Sequence, residues 1–151
     1  MKSGMTPLFS GDDVERWFDH FQNRAEEKIF KLLSAGGEKF VEIARKKGTY
    51  HDQTGNLRSS IGYIIAIDGE VVSENFEESE KGTDKQTGKT KGRRLAEEIS
   101  LSYPNGYIIV GVAGMDYAVA VEARGCDVVT SGNIQCDEYL RKALKSVFKK
   151  L

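Results

Sequence analysis

Apolar side chains in the first third of the chain recur at the three- and four-residue spacing of an amphipathic helix. Their positions are Val14, Trp17, Phe18, Phe21, Ala25, Ile29, Leu32, Leu33, Phe40, Val41, Ile43 and Ala44. They predict a helix over residues 12–47, capped by Asp12 with Glu15 three positions later. At 1.5 Å per residue such a helix is about 50 Å long, so on a chain of this size it projects or lies across a neighbour.

Two features limit this helix. Gly36-Gly37 interrupts the apolar pattern, and glycine is a poor helix former, so a helical hairpin broken at the glycines is the alternative to one continuous helix. Residues 1–11 include Gly4 and Pro7 and have no apolar period, which predicts a loose leader.

The middle of the chain alternates between β-prone runs and turn residues. Residues 55–60 are predicted to form a short helical turn that leads into the apolar run 63–67. Asp68-Gly69 separates this run from 70–72, a pattern typical of a two-residue hairpin whose central positions need positive φ. Because the first strand is apolar at consecutive positions, we expect cover on both of its faces.

The remaining elements complete an α+β fold. Further strands are predicted at 107–112 and 117–122, and helices at 93–102 and 133–151. The segment 77–92 lacks apolar anchors and is predicted to be a mobile basic loop. The sequence therefore predicts a single domain over 1–151, in which a small, mainly antiparallel sheet packs with a long N-terminal helix and a C-terminal helix.

Composition excludes some classes of protein. The 151 residues are 39% apolar and 30% charged, which is typical of a folded soluble domain. Twenty-two basic side chains against 23 acidic ones give a net charge of −1, which argues against a protein that coats nucleic acid with its whole surface. The longest nearly apolar run, 107–115, is too short to span a bilayer, so no membrane contact is expected.

Candidate chemistry is sparse. Cys126 and Cys136 lie ten positions apart with no Cys-x-x-Cys pair, which favours idle thiols over a zinc site. An acid, a base and a nucleophile can be assembled on paper from Ser59, Ser60, Asp52, His51 and Glu122, but none of the strained turns that expose a nucleophile is present. Neither an enzymatic activity nor a cofactor is expected.

Positive charge is concentrated in the segment 80–94. Its basic residues are Lys81, Lys85, Lys89, Lys91, Arg93 and Arg94, which against two carboxylates leave a net charge of +4. Cations on a flexible segment bind phosphates without reading bases, so these residues are candidate contacts for DNA or an acidic partner, and a solvated loop is the alternative. Gly82 and Gly88 have five residues between them rather than the four of a phosphate-binding loop, which argues against nucleotide hydrolysis.

Two short segments carry a family resemblance. The first is Thr54-Gly55-Asn56-Leu57-Arg58-Ser59-Ser60-Ile61, and the second is Asp116-Tyr117-Ala118-Val119-Ala120-Val121-Glu122-Ala123-Arg124-Gly125. With a long helix before them, a hairpin between them and a helix after them, they resemble the phage tail-component family named for phage Hong Kong 97. The matching motif positions are Thr54, Gly55, Leu57, Arg58, Tyr117, Ala118, Glu122 and Gly125.

The resemblance implies a structural virion protein of a tailed phage or prophage, a head-tail joining or tail-completion component with no enzymatic role. It would assemble with itself into a ring, a hexamer, at the neck between head-connector and tail-tube proteins, where the basic loop would line the channel for DNA. Its location would be the virion, and the host bacterial cytoplasm during assembly. A bacterial nucleic-acid-binding module that uses the same basic residues is the alternative function.

The first motif also makes physical sense as a turn. Thr54 can cap it through its hydroxyl, Gly55 permits a tight entry, and Leu57 points to one side with the apolar residue four positions later. Arg58 then faces elsewhere. We hypothesise that Arg58 pairs with Glu122 and ties the turn to the second motif.

Overall fold

The chain is an α+β fold, as predicted. The computed structural model describes residues 4–6, 8–46, 49–51, 55–80 and 82–150, and of Lys150 it describes the backbone alone. Its helices and strands are, in chain order, α1 Gly11–Lys46, α2 Asn56–Ser59, β1 Ile61–Ile67, β2 Glu70–Phe76, α3 Gln86–Ser100, β3 Tyr107–Ala113, α4 Ala118–Ala123 and α5 Thr130–Lys150. A long N-terminal helix, an antiparallel sheet and a C-terminal helix are therefore confirmed.

The sheet is built around β1. Its strand order is β2-β1-β3, and β1 pairs antiparallel with both neighbours. Asp68 and Gly69 connect β1 to β2 with φ of 49° and 85°, so the predicted hairpin with two positive-φ positions is confirmed. The Asp68 carboxylate accepts a hydrogen bond from the Gly106 amide at 2.8 Å, which ties the hairpin to the start of β3.

Both faces of β1 are covered, as its continuous apolar run predicts. Ile61, Tyr63 and Ile65 belong to a core cluster that includes Phe40 of α1. The intervening Ile64 points to the other face, into a second cluster with residues of α3 and β3 that includes Ala96. Side chains alternate between faces along a strand, so α1 and α5 cover one face and α3 covers the other.

Helix α1 runs without a break through Gly36-Gly37, so the helical-hairpin alternative is wrong. The two glycines instead allow close packing. A Cβ on Gly36 would lie 2.9 Å from Cδ2 of Leu140 on α5, and one on Gly37 would lie 2.5 Å from Cε2 of Tyr63. These positions are glycine because neighbouring side chains occupy the space a Cβ would need.

The N-terminal cap of α1 is Ser10, so the predicted Asp12 cap is wrong. The Asp13 amide donates to Ser10 Oγ at 3.2 Å, and the Ser10 amide donates to the Asp13 carboxylate at 2.9 Å. This reciprocal pair is a capping box that begins two positions before the predicted one. Residues 1–3 and 7 lie outside the described part of the chain, and the looseness of the leader stays a prediction.

The predicted loop 77–92 is wrong from Gln86 onward, because α3 begins there rather than at Arg93. Gly88 and Gly92 lie one helical turn apart and face the backbone of α2. A Cβ at Gly88 would collide with the carbonyl oxygen of Asn56, and one at Gly92 with that of Ser60. In the sequence these glycines are typical of a loop. In the structure they allow α3 to pack closely against its neighbour.

The predicted strand 117–122 is wrong, because this segment forms the short helix α4. The Val121 amide donates to the Tyr117 carbonyl at 3.0 Å, a helical contact. Helix α5 begins at Thr130, three residues before the predicted start at Asn133. It packs antiparallel on the C-terminal half of α1, as its contacts with Phe40 and Gly36 show.

Candidate functional site

The first motif forms a turn that connects several parts of the fold. Gly55 enters it with φ of 81°, and Leu57, only 1% exposed, fills the core beneath it. The Gly88 amide donates to Asn56 Oδ1 at 2.6 Å, so a side chain of α2 satisfies one of the free amides at the start of α3. Thr54 lies outside the described residues, and its predicted cap is not tested.

Two serines of the same turn hold the ends of the outer strands. The Ser79 amide donates to Ser59 Oγ at 2.8 Å, shortly after the end of β2. The Gly114 amide donates to the Ser60 carbonyl at 3.2 Å, directly after β3. Both serine side chains are completely buried, so they position the fold, and the reading of Ser59 as a nucleophile gains no support.

Arg45 is a positioning residue that the sequence pattern did not identify. Its side chain is only 12% exposed, and its Nε and Nη2 donate to the Ile61 carbonyl at 3.0 and 2.7 Å. Burial lowers the pKa of this guanidinium below its ordinary value, although the Glu77 carboxylate opposes that shift. A cation in the last turn of α1 also suits the helix dipole, which is the one signal that could have identified it.

The hypothesised pair between Arg58 and Glu122 is wrong. The Arg58 guanidinium lies over the ring of Tyr50, 5.3 Å from its centroid, and its Nε donates to Tyr50 Oη at 3.4 Å. Among the described residues, the hydrogen bonds of the Glu122 carboxylate come from the start of α5 instead. Charge alone suggested the pair, but the free amides of a helix terminus are an equally good partner for a carboxylate.

Glu122 caps α5 from outside the helix. Its Oε1 accepts hydrogen bonds from the amides of Val128, Val129 and Thr130 at 3.2, 2.8 and 2.9 Å, and from Thr130 Oγ1 at 2.9 Å. Burial raises the pKa of this carboxyl, but the hydrogen bonds together outweigh burial and lower the pKa below 4.5. The second motif therefore fixes where the C-terminal helix begins.

Replacing Glu122 by glutamine is expected to lower the free energy of unfolding by about 1 kcal/mol at pH 7, the usual cost of losing a helix cap. Because the pKa of Glu122 is lower in the folded than in the unfolded state, the stabilisation is present above the unfolded pKa and is lost as the pH falls through the folded pKa. Urea unfolding of both proteins between pH 7 and pH 3 measures it. A difference that stays constant down to pH 3, or one equal to that of the exposed Glu138→Gln control, would contradict the cap.

The other positions of the second motif have structural roles as well. Ala118 is 7% exposed and packs into the core, whereas Tyr117 is 40% exposed. Gly125 has φ of 87° and follows the end of α4, where its amide donates to the Glu122 carbonyl at 2.9 Å. A positive φ at this position is typical of glycine after a helix.

The basic residues that the structure describes in this segment do not form one patch. Lys81 lies outside the described residues, and the others lie on α3 or immediately before it. Arg93 pairs with Glu74 at 3.0 Å and Lys91 with Asp116 at 3.3 Å, toward opposite edges of the sheet. The remaining cations, which make no ion pair with a described side chain, are Lys85, Lys89 and Arg94.

An uncovered apolar surface lies at the N-terminal end of α1. Every residue from 11 to 24 is exposed, and we call this stretch the projecting segment. It includes Trp17, Phe18 and Phe21, which are 61%, 58% and 41% exposed. Trp17 stacks on Phe21 with ring centroids 5.9 Å apart, and its edge meets Phe18 at 5.2 Å. The sequence predicted that so long a helix projects, and this exposed aromatic cluster is the candidate functional site.

Other kinds of site find little support in the described part of the chain. It contains no group of three or more His, Cys, Asp or Glu residues placed to hold a metal ion. Within the same residues no helix combines the length and the apolar character needed to cross a membrane. Cys126 and Cys136 are free thiols, and burial raises the pKa of Cys136.

Comparison with known proteins adds no relative. No protein-family model, no curated protein and no solved structure matches the chain.

Proposed function

We propose that the chain is a structural subunit of a tailed phage or prophage that joins head to tail by assembling into a ring at the neck. The observation that carries the proposal is the projecting segment, in which apolar and polar residues alike are exposed. Three neighbouring aromatic side chains left in water are unfavourable for a single chain and typical of a surface that another protein covers. The work of such a protein is binding rather than catalysis.

The order of the elements supports the same proposal. A long helix, the turn at 55–60, a hairpin, the segment 116–125 and a C-terminal helix follow one another in the order that the resemblance implies. The motif residues within them hold the subunit together, since Leu57 fills the core and Glu122 caps α5. In an assembly protein, such motifs maintain the shape of the subunit. The surfaces that join it to other subunits lie elsewhere.

The proposed partners follow from this role. The chain would form a ring with itself, a hexamer, between head-connector and tail-tube proteins. It would be part of the virion and, before that, of the host bacterial cytoplasm.

Deleting the gene from the phage or lysogen that carries it tests the function. We expect DNA-filled heads and separate tails in negative-stain micrographs, and joined particles again when the wild-type gene is supplied. Complementation with Val119→Ala, a change at another exposed apolar residue (80% exposed), should restore joining, and complementation with Trp17→Glu and Phe21→Glu together should not. Normal particles from the deletion strain would refute the proposal.

Contact between the ring and DNA in its channel is a separate part of the proposal, carried by Lys85, Lys89 and Arg94. If all three bind phosphates, changing them to glutamine should make the slope of log affinity against log salt shallower by up to about 2.7, at about 0.9 per contact. The charge-preserving variant Lys85→Arg, Lys89→Arg and Arg94→Lys should keep the slope. Fluorescence anisotropy with unspecific duplex DNA measures both.

If the wild-type protein does not bind duplex DNA at low salt, both the channel contact and the alternative function as a nucleic-acid-binding module are refuted. Salt-dependent binding by a protein whose gene deletion leaves particles intact would favour that alternative.

A further inference from the structure

The projecting segment extends past the end of its own α5. In the antiparallel pair, Gly132 lies against Phe40, and Leu140 lies against Gly36. Helix α5 continues for about two to three turns beyond Leu140. Because both helices advance 1.5 Å per residue, α5 therefore ends level with a point on α1 about two to three turns before Gly36. The first four turns of α1, about 20 Å, therefore stand beyond α5. Most of the stability of a helix in a protein comes from packing of its apolar face, and every residue of this segment is exposed, so a partner would supply the packing that it lacks.

The projecting segment is acidic around its apolar stripe. Between residues 11 and 24 there are four carboxylates and two guanidinium groups, a net charge of −2. Val14, Trp17, Phe18 and Phe21 recur at helical spacing and form one stripe. Its borders carry Asp13, four positions before Trp17, and Glu15, three positions before Phe18, so a carboxylate lies on each side. A partner that covers this stripe therefore needs apolar side chains flanked by cations.

The C-terminal third of α5 and the turn before it have this chemistry. From residue 139 to 149 the chain has no carboxylate and four cations, Arg141, Lys142, Lys145 and Lys149. Phe148 lies among them and is 64% exposed. On a helix, Arg141, Lys145 and Phe148 are three and four positions apart, so they share one face.

We infer that the projecting segment of one copy packs on the C-terminal third of α5 of the next copy. This contact rests on the proposed assembly function and names the surfaces that perform it. Trp17 and Phe21 would cover Phe148, while Glu15, at the border of the stripe, would lie beside the lysines of α5. Lysines next to an exposed indole add a favourable cation-π interaction.

The two surfaces differ, so the contact is heterologous and repeats in one direction, which closes into a ring when the rotation permits. The charges also favour this contact over the pairing of two projecting segments, because two segments of net charge −2 repel each other.

Charge reversal tests the contact. Variant A carries Glu15→Lys and Gln22→Lys, seven positions apart on one flank of the stripe, and variant B carries Lys145→Glu and Lys149→Glu. All four side chains are exposed, so both variants should fold with the wild-type circular-dichroism spectrum. Each alone should need at least about tenfold more protein for half-assembly in sedimentation velocity at low salt, because like charges then face each other.

An equimolar mixture of A and B should assemble again, since every contact between unlike copies joins opposite charges. The single chain that carries all four changes should do the same. Phe148→Ala should weaken assembly, whereas the exposed apolar control Val119→Ala should leave it unchanged.

The outcomes separate the two proposals. Wild-type assemblies that survive in A alone and in B alone overturn this contact and leave the neck function standing. Loss of assembly in each variant without recovery in the mixture also overturns it, since the charges would then act elsewhere. A wild type that never associates, either alone or on a head connector, contradicts the contact and the ring together.

Discussion

Replacing Leu57 by alanine is expected to lower the free energy of unfolding by about 2–5 kcal/mol, the cost of truncating a fully buried leucine. Leu57 is 1% exposed and belongs to the same core cluster as Phe40 and Ile61. The turn that carries it also holds α3 through Asn56, so little room exists for the cavity to close. Urea unfolding should therefore show one of the largest losses for any single truncation in this chain.

The matched control for this truncation is Leu101→Ala, because Leu101 is 78% exposed. Its effect should stay within about 0.5 kcal/mol. Both variants should be measured at a protein concentration too low for assembly, since association stabilises the folded state by mass action. A loss below about 1 kcal/mol for Leu57→Ala would show that the turn does not anchor the core.

Gly92→Ala is expected to destabilise the protein by about 1–3 kcal/mol, even though alanine is the better helix former by about 1 kcal/mol. A Cβ at this position would collide with the Ser60 carbonyl oxygen and would lie 2.9 Å from Cε1 of Phe76. Because a backbone atom cannot move aside as a flexible side chain can, α3 must shift away from α2. The thermal unfolding temperature should fall accordingly.

Gly11→Ala is the control for this substitution. Gly11 is also helical, but a Cβ there would meet nothing within 4 Å. Its replacement should be neutral or slightly stabilising. If Gly92→Ala were as harmless as Gly11→Ala, the close approach of α3 to α2 would be refuted.

Local patterns in the sequence predicted the parts of the fold that local forces determine. The apolar spacing of α1, the Asp68-Gly69 turn and the continuous apolar run of β1 each have a short-range cause, and each was confirmed. A strand apolar at consecutive positions also implied cover on both faces, by helices or by another subunit, and helices supply it.

Two glycine-containing segments were hard to interpret from the sequence. The segment 77–92 was predicted to be a loop because it lacks apolar anchors, and a break at Gly36-Gly37 was the alternative to one continuous helix, but Gly88 and Gly36 both lie inside helices. A glycine that interrupts a helix and a glycine that admits a neighbour are identical in sequence. Only the partner distinguishes them: the Asn56 carbonyl for Gly88 and Leu140 for Gly36.

The errors at Glu122 and in the segment 117–122 have the same origin. A carboxylate and a guanidinium suggested an ion pair, but the amides that bind Glu122 belong to a helix whose start was placed three residues too late. A run of apolar residues suggested a strand, although only Ala118 among them is buried. Whether a short segment is buried depends on the elements that pack against it. The sequence of the segment does not show which elements these are.

The candidate assembly surface was predictable in part. Helical spacing identified Trp17, Phe18 and Phe21 as one stripe, and the helix length indicated that it projects. Which half of α1 is covered within the subunit depends on where α5 ends along it. That point follows from the packing of Leu140 against Gly36.

The mass of the wild-type protein in native mass spectrometry, combined with negative-stain images of the same sample, tests the central claim most directly. Self-assembly through exposed surfaces predicts rings of a fixed number of copies, six by the resemblance, in the protein alone or when it is seated on a head connector. A protein that remains monomeric up to high concentration and does not bind a connector would contradict the account.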